Sequence, residues 1–280
     1  MIRDIRLRNG SGSTFDLMRR ESFFNGIEGF GFTDGTQFEK IGDAYYPLEQ
    51  TFNQGKVSGS ILFAGESPYK TYYDFAGFIR NTPLELVYET DAGYSILPVV
   101  VSEIGKTELS DGGHSMECPV KFTATGRFYR QVSAESATEL VGGKTYGVST
   151  YPYTYAVVMG NTLEIDSDSF DDSPCAVNIY GPCINPVWKQ YVNGELTSNG
   201  RYEGTIPAGH RLVISSITVP YTITERGSGG EFVADRYQFC DFSTDRFLFL
   251  QHGANRISVT HDELCEVQVI VTGRLSYATL

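Results

Sequence analysis

The residues best suited to catalysis do not fall into a catalytic pattern. Nucleophilic catalysis needs a serine or cysteine beside a histidine that an acidic group orients. The chain has four histidines, all near predicted turns, and no Gly-x-Ser-x-Gly motif. The stretch GSGST at 10–14 lacks the Gly-Lys-Ser/Thr that completes a phosphate-binding loop. We therefore expect no catalytic residue, no cofactor and no enzymatic activity.

Two stretches carry side chains that metal ions prefer. The acidic run EIDSDSFDD at 164–172 offers carboxylate oxygens to calcium, but it lacks the central glycine and final glutamate of an EF-hand loop. His252, His261 and Cys265 are too widely spaced for the paired ligands that zinc usually takes. We interpret the acidic run as a solvated turn and expect no metal site.

Aromatic side chains are the most abundant recognition groups, with 18 Tyr, 18 Phe and 1 Trp. Those in the segments 22–38 and 145–159 suit a core, a protein interface or a stacked sugar. Core or interface is the favoured interpretation. Trp188 and Tyr191 are the only adjacent candidates for sugar contact, and the competing interpretation places Trp188 inside the core.

Short β-strands must position most of these residues. Abundant Tyr, Phe, Thr, Val and Gly favours strands over helices. One segment predicts a helix, because Ser67-Pro68 suits a helix start and aromatic residues then recur at helical spacing. A weakly patterned stretch at 133–143 suggests a domain boundary. The sequence thus predicts a mainly β chain, with an α+β domain at 1–135 and an all-β sandwich at 136–280.

Charge and cysteine content narrow the class of protein. The 280 residues include 22 basic and 34 acidic side chains, a net charge of −12, which gives no attraction to nucleic acid or anionic membranes. No apolar run reaches the length of a membrane-spanning helix, and the N-terminus has no hydrophobic signal core. We expect free thiols at the five cysteines, Cys118, Cys175, Cys183, Cys240 and Cys265.

Motifs in both halves occur in a recognisable order. The first half holds GESPYKTYYDFAGFIRNTPLELVYET at 65–90, a Lys-Thr-Glu-Leu turn, a Cys-Pro-Val-x-Phe strand and the aromatic pair of GRFYR. The second half holds AVNIYGPCINPVWKQY, GTIPAGHRLVISS and a Phe-x-x-Leu-x-x-Gly-x-Asn-x-Ile pattern from Phe247 to Ile257. In this order the motifs resemble the distal tail protein family of siphophage baseplates, with a galectin-like sandwich in the second half.

The resemblance implies a structural protein of the virion, located at the phage tail tip. It implies a homohexameric ring that joins the tail tube protein to a tail-associated hub protein and to receptor-binding proteins for host attachment. DNA would pass through the lumen without specific binding, and no membrane is involved. Assembly would take place in the bacterial host cytoplasm. A contractile or bacteriocin-type baseplate, and a prophage gene, remain open.

A ring closes when one face of each copy binds a different face of the next. The resemblance implies an arm that embraces the neighbouring copy, and we predict that the segment 22–38 forms it. Its interface anchors would be Phe23, Phe24, Phe30 and Phe32. The alternative function is a carbohydrate-binding β-sandwich protein that uses Trp188 and Tyr191.

Overall fold

The computed structural model describes residues 3–31, 35–49, 54–110, 112–137, 139–141, 158–169, 171–262 and 267–277. The fold is mainly β, as predicted. The chain divides into two compact units, the first comprising Met1–Arg130 with Tyr277–Leu280 and the second Gln131–Ser276. The functional division at 135/136 stays a prediction.

The first unit combines strands with one helix, α1 (Pro68–Phe78). The helix expected from Ser67-Pro68 is therefore confirmed, although the Ser67 side chain makes no capping hydrogen bond. The strands are β1 (Arg3–Arg8), β2 (Thr14–Asp16), β3 (Met18–Arg19), β4 (Ser22–Glu28), β5 (Gln37–Ile41), β6 (Ala44–Glu49), β7 (Lys56–Ala64), β8 (Leu84–Thr90), β9 (Gly93–Ile104), β10 (Ser115–Ala124) and β11 (Phe128–Ala137), which continues into the second unit.

One antiparallel sheet organises this unit, in the order β3-β4-β7-β10-β9-β8-β1-β2. Its inward residues alternate along each strand, as period-two geometry requires. The helix covers that core with two aromatic residues, because the rings of Tyr72 and Phe75 both lie 5.7 Å from Phe63 of β7. Strands β5 and β6 lie outside this sheet and pair with each other.

The second unit contains strands and one short 3₁₀ helix, Tyr237–Phe239, within its described residues. Its strands are β12 (Glu139–Val141), β13 (Val158–Ser167), β14 (Ser173–Tyr180), β15 (Cys183–Ile184), β16 (Val187–Val192), β17 (Glu195–Arg201), β18 (Thr205–Ile206), β19 (Arg211–Ser215), β20 (Thr222–Arg226), β21 (Phe232–Asp235), β22 (Phe249–Leu250), β23 (Gly253–Thr260) and β24 (Gln268–Tyr277).

Two antiparallel sheets provide the core of this unit. One runs β21-β20-β19-β14-β24, and the other runs β12-β13-β23-β16-β17. Both contribute fully buried apolar side chains, among them Val177, Ile179, Trp188, Leu212, Ile257, Val259, Val269 and Val271. The predicted sandwich is confirmed, and a sandwich fixes which strand faces point outward.

Candidate functional site

The predicted interface anchors lie in different environments. Phe24 is fully buried and its ring lies 5.8 Å from Phe122 in the core of the first unit. Phe30 is half-buried against the rings of Tyr88 and Phe128, at 4.8 and 6.3 Å. Phe23 is half-buried and paired with Met18 and Leu62, while Phe32 lies outside the described residues.

Phe24 is therefore a core residue, which corrects its assignment as an exposed anchor. The cause is the strand partner of β4. Phe24 pairs with Ile61 of β7, and its ring occupies the space beside Gly59. A Cβ at Gly59 would lie 2.7 Å from Cε2 of Phe24, so the missing side chain makes room for the ring. Most of β4 is thus part of the sheet and cannot serve as a free arm.

The exposed aromatic segment lies one element later, in the hairpin formed by β5 and β6. Its five large apolar side chains are 52–66% exposed, namely Phe38, Ile41, Tyr45, Tyr46 and Leu48. The hairpin is a separate two-stranded sheet, joined at Gly42-Asp43. Such residues are normally covered, so their clustering marks an interaction surface.

Both faces of this hairpin are apolar. Phe38 pairs with Pro47 and Lys40 with Tyr45, so these residues share one face, where the Lys40 ammonium lies 5.7 Å from the Tyr45 ring centre. Ile41 pairs with Ala44 on the opposite face, which also carries Tyr46 and Leu48. The sequence could have indicated two apolar faces, because apolar residues occupy consecutive positions of the strand at 44–48.

The exposed apolar area of the hairpin is comparable with one side of a protein–protein interface. An aromatic side chain offers roughly 150–250 Å². Five large residues, each slightly more than half exposed, therefore present on the order of 500 Å². A standard protein interface buries about 800 Å² on each partner. The hairpin alone would supply most of one side of such an interface.

Trp188 faces the core of the second unit. Its side chain is fully buried, and its indole Nε1 donates a hydrogen bond to the backbone oxygen of Arg246 at 2.9 Å. A Cβ on Gly200, its cross-strand neighbour, would lie 2.4 Å from the indole ring. The indole ring therefore occupies the space that a side chain at position 200 would need, and the core interpretation of Trp188 is confirmed.

Tyr191 points to the other side of the same strand. The side chains of β16 alternate regularly, so Gln190 is buried while Tyr191, three positions after Trp188, is half-exposed. The Arg256 guanidinium lies 4.6 Å from the Tyr191 ring centre. Trp188 and Tyr191 therefore face opposite sides of the sheet and cannot form one sugar-stacking platform, which corrects their pairing as sugar contacts.

A second group of exposed aromatic residues lies in the second unit. Its members are Tyr221, Phe232, Tyr237, Phe239 and Phe242, with exposures between 37 and 60%. The Arg246 guanidinium lies over the rings of Tyr237 and Phe242, at 5.1 and 4.5 Å. Cation–π contacts of this kind fix the orientation of the rings.

A buried carboxylate lies near this group. Glu225 accepts a hydrogen bond from Arg236 Nε at 2.7 Å and contacts His210 Nδ1 at 2.5 Å. Burial alone would raise the pKa of Glu225, but the hydrogen bonds from His210 and Arg236 outweigh it and hold the pKa below its usual range. The His210 side chain contacts the Glu225 carboxylate, which also binds Arg236, so this cluster has the chemistry of an ion pair.

The remaining candidate groups have ordinary environments. Cys118, Cys175, Cys183 and Cys240 are buried free thiols, as predicted, and Cys265 lies outside the described residues. Burial raises the pKa of Cys175 to about 12, which makes it a poor nucleophile.

The first part of the acidic run, residues 164–167, lies within strand β13. Its first carboxylates, Glu164 and Asp166, alternate with buried residues along β13 and point outward. Among the described residues, no three potential metal-ligating side chains come together. The one α-helix in the described ranges is α1, which is too short to cross a membrane.

Comparison with known proteins gives a family match in the first unit. The sequence model of the distal tail protein N-terminal domain matches residues 4–125. No curated protein is similar enough in sequence to count as a match.

Solved structures match over nearly the whole chain. Two structures of the phage P2 baseplate in its activated conformation each contain a similar chain. The TM-score is 0.69 for the structure with calcium and 0.70 for the structure with strontium. Identity is 13% in both cases, and each chain is covered completely. The Dit protein of phage SPP1 matches at a TM-score of 0.58 and 8% identity, covering 96% of this chain and 98% of that one. The TM-scores show a common fold, and at identities this low the matches show the fold alone.

Proposed function

We propose that the chain is a structural protein of the phage tail tip and that it closes into a ring there, because the sequence model of the distal tail protein N-terminal domain matches residues 4–125. The exposed hairpin β5–β6 is the observation that carries this proposal. A monomer gains nothing from 500 Å² or so of exposed apolar surface, whereas a second copy can cover it.

In this proposal the hairpin is the arm of the ring. The segment 37–49 replaces 22–38 in that role, since Phe24 belongs to the core and the large exposed side chains begin at Phe38. The arm contributes apolar side chains from both faces, and each copy gives one arm and receives one. Six copies is the number that the family resemblance favours.

The partners follow from a position at the tail tip. One side of the ring would contact the tail tube protein and the other the tail-associated hub, while the second unit would carry receptor-binding proteins. The net charge of −12 would keep passing DNA from adhering to the lumen. The role is structural, without catalysis, and the chain would assemble in the bacterial host cytoplasm.

The carbohydrate-binding alternative is not favoured. It depended on Trp188 and Tyr191 acting together, and the first of these is fully buried.

The mass of the purified full-length protein in solution tests the proposal. We expect a species of about six copies by light scattering, with a central hole in negative-stain images. A protein that stays monomeric at every concentration and also fails to assemble with a tail tube protein contradicts the proposal.

Variants of the hairpin then test the arm. Phe38→Ser with Tyr45→Ser alters one face, and Ile41→Ser with Tyr46→Ser alters the other. Each pair should shift the ring toward monomer at unchanged melting temperature, because these side chains are more than half exposed. Phe232→Ser, at 60% exposure in the second unit, is the matched control and should keep the ring. A full ring from both hairpin variants would remove the arm assignment.

A further inference from the structure

Residues 236–248 of the second unit, here named the strap, have little regular structure. The strap follows β21, forms one 3₁₀ turn at Tyr237–Phe239, and then runs without helix or strand to β22. Cys240 is 5% exposed and Leu248 2%, so both side chains face inward. The aromatic side chains of Tyr237, Phe239 and Phe242 face outward.

A small set of hydrogen bonds holds the strap in place. Arg236 N donates to Ile223 O at 2.9 Å, and the Phe239 carbonyl accepts from Glu203 N at 2.8 Å. The Arg246 carbonyl accepts from the Trp188 indole at 2.9 Å. Further bonds join Asp241 N to Arg201 O, and Ser216 Oγ to Leu248 O. From Asp241 to Leu248 the strap has neither helix nor strand, and segments without regular structure are the kind that open locally.

One ion pair joins the first residue of the strap to the sheet. Both oxygens of the Glu225 carboxylate are used: Oε2 binds Arg236 Nε and Nη2 at 2.7 and 2.5 Å, and Oε1 contacts His210. The Glu225 side chain is 4% exposed, so water screens this pair weakly. Removing Glu225 leaves the Arg236 guanidinium, whose side chain is 29% exposed, without a carboxylate, and removing Arg236 leaves the buried Glu225 with His210 alone. Either change weakens the attachment of the strap to the sheet.

The accessibility of two side chains, Cys240 and Trp188, can show whether the strap is closed. Cys240 belongs to the strap and its side chain faces inward, where burial raises the pKa of the thiol to about 11. Trp188 is the only tryptophan of the chain, and its indole hydrogen bond ends on the strap. Cys183 is fully buried in the same unit but lies outside the strap. The two cysteines therefore distinguish opening of the strap from unfolding of the unit.

We propose that the strap opens as a unit and that the Glu225–Arg236 ion pair is the latch that keeps it closed. In the closed state the latch fixes the outward row of Tyr237, Phe239 and Phe242. In the open state that row loses its fixed geometry, while Cys240 and one edge of Trp188 become accessible. Every residue of this device belongs to the second unit, whereas the proposed arm belongs to the first, so the two proposals are tested by different variants.

Pulsed alkylation of the full-length protein, resolved by peptide mass spectrometry, tests the proposal. In the unmodified protein Cys240 should react faster than Cys183. Glu225→Gln should raise the Cys240 rate at least about tenfold, because it leaves Arg236 without a carboxylate. Arg236→Gln should do the same from the other side of the pair. In both variants acrylamide should quench the Trp188 fluorescence more strongly.

The control is Glu203→Gln, because Glu203 contacts the strap through its backbone N–H while its side chain is 69% exposed. It should leave both rates unchanged. Equal rates for Cys240 and Cys183 in all forms of the protein would overturn the proposal, because the strap would then open only when the unit unfolds. A Cys240 rate that neither latch variant changes would overturn it equally.

Discussion

Gly200 and Trp188 are fitted so closely that a single methyl group should destabilise the second unit. In Gly200→Ala the new Cβ would lie 2.4 Å from Cε2 and Cζ2 of Trp188 and 2.6 Å from Nε1. Ordinary carbon contacts begin at about 3.5 Å. The ring or the β17 backbone must therefore move by about 1 Å.

The ring has little freedom to make that movement. Trp188 is fully buried, and a shift would stretch the 2.9 Å hydrogen bond from its indole to Arg246. Overpacking of this kind costs about 1–3 kcal/mol, and the gain from replacing a strand glycine recovers at most about 1 kcal/mol. We expect a net loss of about 1–2 kcal/mol, or about 2–8 °C in melting temperature for a unit of this size.

The measurement uses the tryptophan itself. Urea unfolding followed by Trp188 fluorescence reports the second unit, because the chain has no other tryptophan. A double-mutant cycle with Trp188→Phe, followed by circular dichroism, isolates the contact, since phenylalanine lacks the indole atoms that meet the new methyl group. We expect Gly200→Ala to cost much less in that background. Equal unfolding midpoints for Gly200→Ala and the unmodified protein would refute the packing argument.

Two further substitutions and one titration test other parts of the fold. Phe24→Ala should cost the first unit about 3–5 kcal/mol in urea unfolding, because it removes a fully buried ring; loss of the ring assembly at unchanged stability would contradict its place in the core. Gly77→Ala, with open space around its Cβ in α1, should stabilise the first unit by about 0.5 kcal/mol, and an unchanged midpoint would contradict this. The lowered pKa of Glu225 means that its contribution to stability is complete above the unfolded-state value, about 4.3, and is lost as the pH falls through the folded-state value. The second unit should therefore lose stability on acidification, and Glu225→Gln should flatten that dependence below about pH 5; an identical pH profile for both proteins would contradict the ion pair.

Local patterns predicted the elements that local physics controls. The helix at Pro68–Phe78 followed from its start signal and its aromatic spacing, and burial of Tyr72 and Phe75 explains that spacing. The sandwich followed from many short strands between turn residues. Both features depend on chain geometry within about ten residues, which a single sequence displays.

Phe24 was predicted as an interface anchor and is buried, because exposure depends on distant partners. Its strand β4 and the hairpin strands β5 and β6 carry aromatic residues of the same chemistry. Phe24 is buried because β7 pairs with its strand and Gly59 leaves room for its ring. No sequence rule links residues 24 and 59. By contrast, the opposite faces of Trp188 and Tyr191 could be predicted from the sequence, because residues three positions apart on a strand point to opposite sides of the sheet.

The alternation of side chains along a strand fixes which residues share a face, but strand partners decide which faces the chain itself can cover. In the hairpin β5–β6 neither face is covered by the described residues, although each carries an aromatic residue, Tyr45 on one and Tyr46 on the other. A hairpin that lay on its own sheet would need apolar residues on one face and polar residues on the other. Apolar residues on both faces are instead what a hairpin needs when another chain surrounds it. This pattern is why we look to the hairpin for the assembly of the ring.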